Sequence, residues 1–541
     1  MWGRNVLFAA VVLGSALSLW ASLFPLSAPR RKITFDAAPT ERPDFRVTVA
    51  KVNRAFRDQW AEKGLVPAPL AADLTVARRL SLALTGSVPS LEDVRQFEEQ
   101  SPEMRVEGWA HHLLKDRRFA DYFADRLARA YIGTEDGPPV VYRKRKFIAW
   151  LSDEFLKNTS YAEVVTQMIA AQGLNTDVPA VNFVAAGYDD NKEAPDPEKL
   201  AVRVSRAFLG LRIDCAQCHD HFLEPTWKQT HFQALAAFFG QTRHVVTNIT
   251  DAATGEYGFE DRVAGGRHEI GPGVPFLPEL LPATGTRRSR LAAWVTDTKN
   301  VYFARATVNR VWAMLFGRPL TNRIEAQTLA EMSDEQAPPA LRILGDDFAA
   351  HGHDIRRLIL LISSLDVFRL DSAAAFEITE SHDEAWAVFP LSRLRPEQVI
   401  GNVIQAASVK TIDQQSHVFV RLARYFSEKD FVARYGDADD DEFARSSGTI
   451  PQRLLVMNGD LVDGKANEEL LSASAQIAMF APDDRAAVEA AYLTVLTRRP
   501  TPKESHHFAT RLANTSGDER RRRLADLYWA LFNSTELSWN H

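Results

Sequence analysis

The chain of 541 residues contains two cysteines, Cys215 and Cys218, and seven methionines. Two thiols cannot build a disulfide scaffold, so the fold must rest on apolar cores, and the length allows two or three domains with cores of their own. Positive charge is not in excess: the formal net charge is −6, which leaves no electrostatic footprint for a nucleic-acid partner. A glycine-rich phosphate loop is lacking, and so is an internal repeat. The acidic cluster Asp439-Asp440-Asp441-Glu442 has neither the alternating oxygen donors nor the central glycine of a calcium loop and reads as a solvated loop. Long apolar runs are absent with one exception. Val6–Phe24, behind Arg4, is uncharged and long enough to cross a bilayer once. The same run could be the apolar part of a cleaved signal, but Pro25 and Pro29 crowd the cleavage zone and Ser27-Ala28-Pro29 is a poor cut site. Residues 1–28 are therefore expected to stay as an N-terminal membrane helix. Arg30, Arg31 and Lys32 leave its orientation undecided by charge alone.

The two cysteines stand in one pattern, Cys215-Ala216-Gln217-Cys218-His219. C-x-x-C-H is the attachment signature of c-type haem. Each thiol adds across one vinyl group, and the next residue, His219, offers a ring nitrogen to the iron from one face. The expected cofactor is one covalent haem c on Cys215 and Cys218 with His219 as proximal ligand. Two other readings stay open: a small disulfide loop beside a bystander histidine, and a Zn²⁺ site built from Cys215, Cys218, His219 and His221. Haem is attached to such motifs outside the cytoplasm, so the body of the chain is expected to be extracytoplasmic, in a periplasmic space.

Helical periodicity dominates the rest, and the fold class expected is mainly α. Residues 29–65 read as a linker with a first docking segment. From Leu74 the pattern is helical. Gly86 is a stop, Ser90-Leu91-Glu92-Asp93 a capping signature, and Trp109–Ala130 and Phe147–Ala171 continue the pattern. The basic run Arg143-Lys144-Arg145-Lys146 reads as a solvated helix start, with anionic lipid or an acidic partner as the alternative. Asp196 caps a helix with Pro197 at its first position; Leu200, Val204, Phe208 and Leu211 then form one apolar face leading to Cys215. After the motif, Thr226-Trp227-Lys228-Gln229 reads as a capping box and Phe232, Leu235 and Phe239 share a face that Gly240 closes. The texture then changes to short strands and turns, including Val245-Val246-Thr247 and Tyr257-Gly258-Phe259. The division expected is 66–243 for the haem-binding domain, 244–290 for a strand and loop connection, and 291–541 for a second helical domain. In that domain Thr501-Pro502-Lys503-Glu504 is a helix start, and His351-Gly352-His353-Asp354 reads as a helix cap with exposed histidines rather than a metal cluster.

Phe208-Leu209-Gly210-Leu211-Arg212 through Cys218-His219-Asp220-His221, with Ala237-Phe238-Phe239 and the upstream Leu84-Thr85-Gly86-Ser87-Val88-Pro89, resembles the planctomycete cytochrome-c-like domain. Asn309-Arg310-Val311-Trp312, Phe316-Gly317-Arg318, Arg395-Pro396-Glu397-Gln398, Met457-Asn458-Gly459 and Leu496-Thr497-Arg498-Arg499-Pro500 resemble its usual downstream partner, a planctomycete-type domain of unknown function. The resemblance covers roughly residues 70 to 540 and implies an extracytoplasmic, mainly helical haem protein with no assigned reaction. Members of that family often carry histidine where this chain has Met314. A His-to-Met exchange keeps iron six-coordinate and raises its potential, so the resemblance marks Met314 as distal ligand, with Met457 next and core filling as the plain alternative. His221 is too close to His219 to reach the other haem face. The function expected is electron transfer by a membrane-anchored monohaem protein with a redox partner protein, as a carrier or as the redox part of an oxidoreductase. A haem enzyme of peroxidase or dehydrogenase type, with Asp220, His221 and Arg310 as acid/base candidates, is the second reading. A Zn-stabilised binding protein is the third. No substrate is indicated.

Overall fold

Local punctuation sets the N-terminal helices. The structure is a computed structural model that describes Phe35 and residues 40–133, 141–189, 194–221, 223–224, 227–260, 265–414, 416, 418–436, 443, 449–458 and 472–541. α1 (Pro43–Glu62) occupies the stretch expected as linker: Phe45, Val52, Phe56 and Trp60 are buried along one side, and Trp60 Nε1 donates to the Ala385 carbonyl at 2.8 Å. Their spacing was hidden by the charged residues between them, which cover the solvent face. α2 (Asp73–Thr85) stops at Gly86, whose φ is +70°; a Cβ there would lie 2.6 Å from the Tyr122 ring. Ser90 and Asp93 form the capping box that opens α3 (Leu91–Glu98). The next two helical stretches are each broken once. α4 (Arg105–Leu114) gives way to α5 (Arg117–Ile132) where Asp116 caps the second helix. α6 (Lys144–Lys157) gives way to α7 (Tyr161–Ala170) at Asn158, in the left-handed region.

The middle of the chain is built from shorter pieces. α8 (Pro197–Val204) is capped by Asp196 as expected and runs into a π-helical turn, Ser205–Leu209, that ends at Gly210. α9 (Gln229–Ala236) follows the cysteine motif. β1 (Gly173–Leu174), β2 (Thr242–Val245) and β3 (Asn248–Asp251) form an antiparallel sheet in the order β1-β3-β2. β4 (Tyr257–Glu260) and β5 (Arg267–Ile270) form a separate hairpin. The strand and loop texture is where the sequence put it, except that Val246 and Thr247 make the turn between β2 and β3 rather than a strand.

Helices return with α10 (Arg287–Val295), α11 (Val301–Phe316), α12 (Pro339–Ala350) and α13 (Ile355–Ser363). Every residue of α11 from Phe303 to Phe316 is buried, so this helix is central. Its Trp312 stacks on Phe56 at 6.0 Å and on Phe316 at 4.4 Å. One continuous apolar core gathers residues from Phe45 to Phe389. A second core takes α14 (Pro396–Ala406), α15 (Val418–Tyr435), α16 (Ile450–Asn458), α17 (Ala473–Phe480), α18 (Asp484–Leu496), α19 (Pro502–Leu512) and α20 (Gly517–Phe532), together with Leu82, Val88, Leu91 and Val94 from the N-terminal part. α2 therefore serves both cores, Leu80 and Leu84 facing one and Leu82 the other. At the seam β6 (Ser392–Arg393) pairs with β7 (Trp539–Asn540). Arg79, fully buried on α2, donates to the carbonyls of Phe368, Leu370 and His541 and lies 3.6 Å over the Phe389 ring. Helix makes up 60% and strand 7% of the structure, and no helix among the described residues is long and apolar enough to cross a membrane. Residues 1–28 and the Asp439–Glu442 cluster lie outside the described residues.

The His351–Asp354 stretch departs from expectation in one respect. Asp354 does cap α13, accepting from Arg357 N at 3.0 Å. His353, however, is buried between the rings of Phe303 and Phe348, each 5.1 Å away, with φ +57°. The cap signature at Asp354 concealed a residue whose backbone turns inward.

Candidate functional site

Cys215 and Cys218 sit on a single 3₁₀ turn, Asp214–Gln217 and its cap, not joined in a disulfide and half-buried. The apolar face that leads to them is real: Leu200, Val204, Phe208 and Leu211 are all fully buried. The turn is held by its one polar middle residue. Gln217 Nε2 donates to Glu198 Oε2 on α8 at 2.7 Å, and its carbonyl accepts from Gln229 Nε2 and Gln233 Nε2 on α9 at 3.2 and 3.3 Å. Gln233 in turn donates to Glu198 Oε1 and accepts from the Tyr257 hydroxyl at 2.7 Å. Burial, with Glu198 and Asp196 nearby, raises the Tyr257 pKa far above the phenol range, so Tyr257 stays a donor. The turn that bears both cysteines is thus fixed by a polar clamp between two helices.

His219 is exposed, and its Nδ1 lies 2.7 Å from the Asp220 carbonyl. A carbonyl only accepts, so Nδ1 carries the proton and Nε2 keeps its lone pair for a ligand. Asp220 is anchored on its other side: Oδ1 accepts from Gln229 N, the first amide of α9, at 3.0 Å. This carboxylate caps the helix; Thr226, expected in that role, lies outside the described residues. His221 is buried and turned to a different task. Its Nδ1 accepts from Glu224 N at 3.0 Å, and its own amide donates to the Trp227 carbonyl at 2.8 Å. The four proposed Zn²⁺ ligands are therefore not gathered, and among the described residues no group of three or more His, Cys, Asp or Glu side chains is placed to hold a metal ion.

Three buried polar atoms at or beside the motif, Asp214 Oδ1, Trp227 Nε1 and Gln229 Oε1, have no hydrogen-bond partner among the described residues. Orphaned buried polar atoms call for a partner. Together with two cysteines that are not in a disulfide and a histidine whose Nδ1 faces a carbonyl, they fit a covalently held haem.

Sequence reasoning missed the bracket that holds the motif from the far side of the chain. Ala326 N donates to the Gly210 carbonyl at 2.7 Å and Arg212 N to the Ala326 carbonyl at 2.9 Å, closing a parallel bridge at Leu211. Arg206 Nε pairs with Glu325 at 2.9 Å. The turn that delivers Glu325 and Ala326 is shaped by Asn309 on α11, which donates to Thr321 Oγ1 and the Arg323 carbonyl and accepts from the amides of Leu320 and Thr321. The N-R-V-W segment was legible as a motif; its role needed contacts that the sequence does not display.

Met314 is buried on α11, 5% exposed. α11 crosses the segment before the motif in a defined direction: Ala306 lies against Gly210, and one turn later Arg310 donates to the Arg206 carbonyl at 3.3 Å. The helix thus runs away from Cys215 as it approaches Met314. Met457 is half-buried on α16 and belongs to the other core region. Arg310 is buried against the Tyr131 ring at 5.4 Å and does not join Asp220 and His221.

Residues 51–244 match the family model PSCyt2, described as a protein of unknown function (DUF1549), and residues 287–421 match PSD1, described as a protein of unknown function (DUF1553). No curated protein and no solved structure matches the chain. With its cysteine motif in the first match and the Asn309 bracket in the second, the chain belongs to the family in which a planctomycete cytochrome-c-like domain is followed by a domain of unknown function, in that order.

Proposed function

We propose that this chain is a membrane-anchored, extracytoplasmic monohaem c-type cytochrome-like protein that transfers electrons, as a carrier or as the redox part of an oxidoreductase. The observation that carries the reading is the His219 ring. It follows two cysteines that share one turn without a disulfide, and its Nδ1–H is committed to the Asp220 carbonyl, which leaves Nε2 for iron. Cys215 and Cys218 would hold haem c through thioether bonds. The haem would supply one-electron exchange. Glu198, Gln217, Gln229 and Gln233 keep the two thiols in a fixed turn, and Trp227 Nε1–H is available to a polar edge of the group. The exposed side of His219 leaves room for a redox partner protein to approach. The mass of the chain beyond the motif exceeds what a carrier needs, which favours docking to a larger redox assembly. Residues 1–28 supply the anchor in this reading.

The test is the intact mass and visible spectrum of protein made with haem-attachment machinery. One added haem, lost in the Cys215→Ala/Cys218→Ala variant, is expected; an unchanged wild-type mass overturns the reading. The same preparation decides the distal position. Met314→Ala is expected to lose about 3 kcal/mol of stability as a truncated core residue while the haem bands stay unchanged. A change to high-spin bands would establish the thioether as ligand despite the direction of α11.

A further inference from the structure

The turn between β2 and β3 is built against its own sequence. Val246 has φ +60°, and the next residue, Thr247, has ordinary negative φ, the pattern of a type II′ hairpin turn. Glycine is the usual residue at that first central position, because a β-branched side chain is strained there. The strain serves no packing: Val246 is 77% exposed and Val245 58%. Leu174 on β1 is also exposed, and it lines up with Val245 across the sheet, because both pair with Asn248. Three apolar side chains therefore stand out at one sheet end.

Beside them lies the basic run. Asn175 N donates to the Thr247 carbonyl at 2.9 Å, Asn182 Nδ2 donates to the Asn175 carbonyl at 2.9 Å, and Arg143 N donates to Asn182 Oδ1 at 2.8 Å. Both asparagines are fully buried, so the tip and the start of α6 are joined by a fixed relay. Arg143, Arg145 and Lys146 are exposed and make no ion pair among the described residues. The nearest acid in sequence to Leu174, Asp177, accepts from Thr176 Oγ1 at 3.0 Å, and the nearest to the β2–β3 tip, Asp251, pairs with Arg288 at 2.8 Å. On the other flank Arg145 donates to the Tyr425 hydroxyl at 2.5 Å, next to the exposed Phe426 and Leu422 of α15.

We propose that the β2–β3 tip and the Arg143–Lys146 run form one docking surface for an anionic membrane, with Leu174, Val245 and Val246 entering the headgroup boundary and the cations facing the lipid phosphates. Apolar side chains flanked by cations are the combination that binds an anionic interface, since burial of apolar area and attraction to lipid charge add. This contact is separate from residues 1–28 and does not depend on haem. It would hold the body of the protein flat against the bilayer rather than at the end of a tether.

The full-length chain is mixed with vesicles of phosphatidylcholine alone and of phosphatidylcholine with phosphatidylglycerol, and amide exchange is followed by mass spectrometry. Slower exchange at residues 242–248 and 143–146 is expected on the anionic vesicles only. Two variants separate fold from contact. Val245→Thr/Val246→Asn keeps a strand former and places a left-handed-tolerant residue at the turn; Arg143→Gln/Lys146→Gln removes two cations. Each is expected to melt as wild type, to bind neutral vesicles as wild type, and to need at least about tenfold more anionic lipid for the same protection. Equal exchange at the wild-type tip with and without anionic lipid overturns the proposal. So does a Val245→Thr/Val246→Asn variant that keeps full protection. Polyglutamate that protects residues 143–146 as strongly as the anionic vesicles do, with the tip still open, overturns it in favour of an acidic protein partner.

Discussion

The seam around α2 and the turn around Cys215 bury polar groups on opposite terms. At the seam the partners are far apart in sequence: Arg79 donates to the carbonyls of Phe368, Leu370 and His541, and its neighbour Arg78 to those of Val495, Glu536 and Leu537, while Arg78 Nε and Arg79 Nη2 keep no partner among the described residues. At the turn most partners lie close by: Glu198, Gln217, Gln229, Gln233 and Tyr257 serve one another, and Asp214 Oδ1, Trp227 Nε1 and Gln229 Oε1 are left over among the described residues. The first arrangement makes the global fold conditional on a few cations. The second gives a site whose geometry can be altered while the rest of the chain stays folded.

Three variants sharpen or break that contrast. Arg79→Leu strands three carbonyls in a dry seam. It is expected to cost about 3–5 kcal/mol, read as a lower melting temperature for both cores together. If the two cores melt separately, the seam is not the common support. His353 tests the frame through pH. Burial holds its folded pKa down at about 4, against an ordinary value of 6.5. The unfolded chain therefore takes up the proton first, and stability is lost as pH falls from about 6.5 to about 4, by at most about 3 kcal/mol, with no contribution above that window. Melting temperature against pH should flatten in that interval for His353→Phe. Asp220→Ala is the smallest change. Removing the cap of α9 should cost about 1 kcal/mol. Its larger effect is expected on the His219 ring, whose ¹⁵N shifts should report a mixture of tautomers in place of one Nδ1-protonated form. A retained single tautomer would mean that the carbonyl of residue 220 is positioned without the carboxylate.

Local chemistry was legible and long-range chemistry was not. Gly86, the Ser90 box, the Asp196-Pro197 start and the Thr501–Glu504 box each act within four residues, and each stands in the structure as the sequence indicates. Cys215 and Cys218, three positions apart, likewise share one 3₁₀ turn and its cap. α1 was misread as linker because its apolar residues face α11 and Ala385, hundreds of positions away. The Glu325–Ala326 bracket was invisible for the same reason: no composition or period marks a residue that serves as a backbone partner to a distant turn. Asp220 illustrates the middle case. From sequence it is an acid/base candidate; in the structure its carbonyl fixes one ring and its carboxylate one helix. Met314 was marked by the family's histidine at its position and by its residue type, and the direction of α11 is a tertiary fact.

The bridge at Leu211 has a mechanical consequence. A segment clasped on both sides by the amide and carbonyl of Ala326 transmits displacement of the second matched region straight to the stretch before Cys215. Whatever pulls on the Asn309 turn tilts the turn that bears the thiols. The two regions are dovetailed, and neither edge of the joint is finished without the other: separated, Gly210 and Arg212 would present raw backbone, and the fully buried Leu211 would meet water.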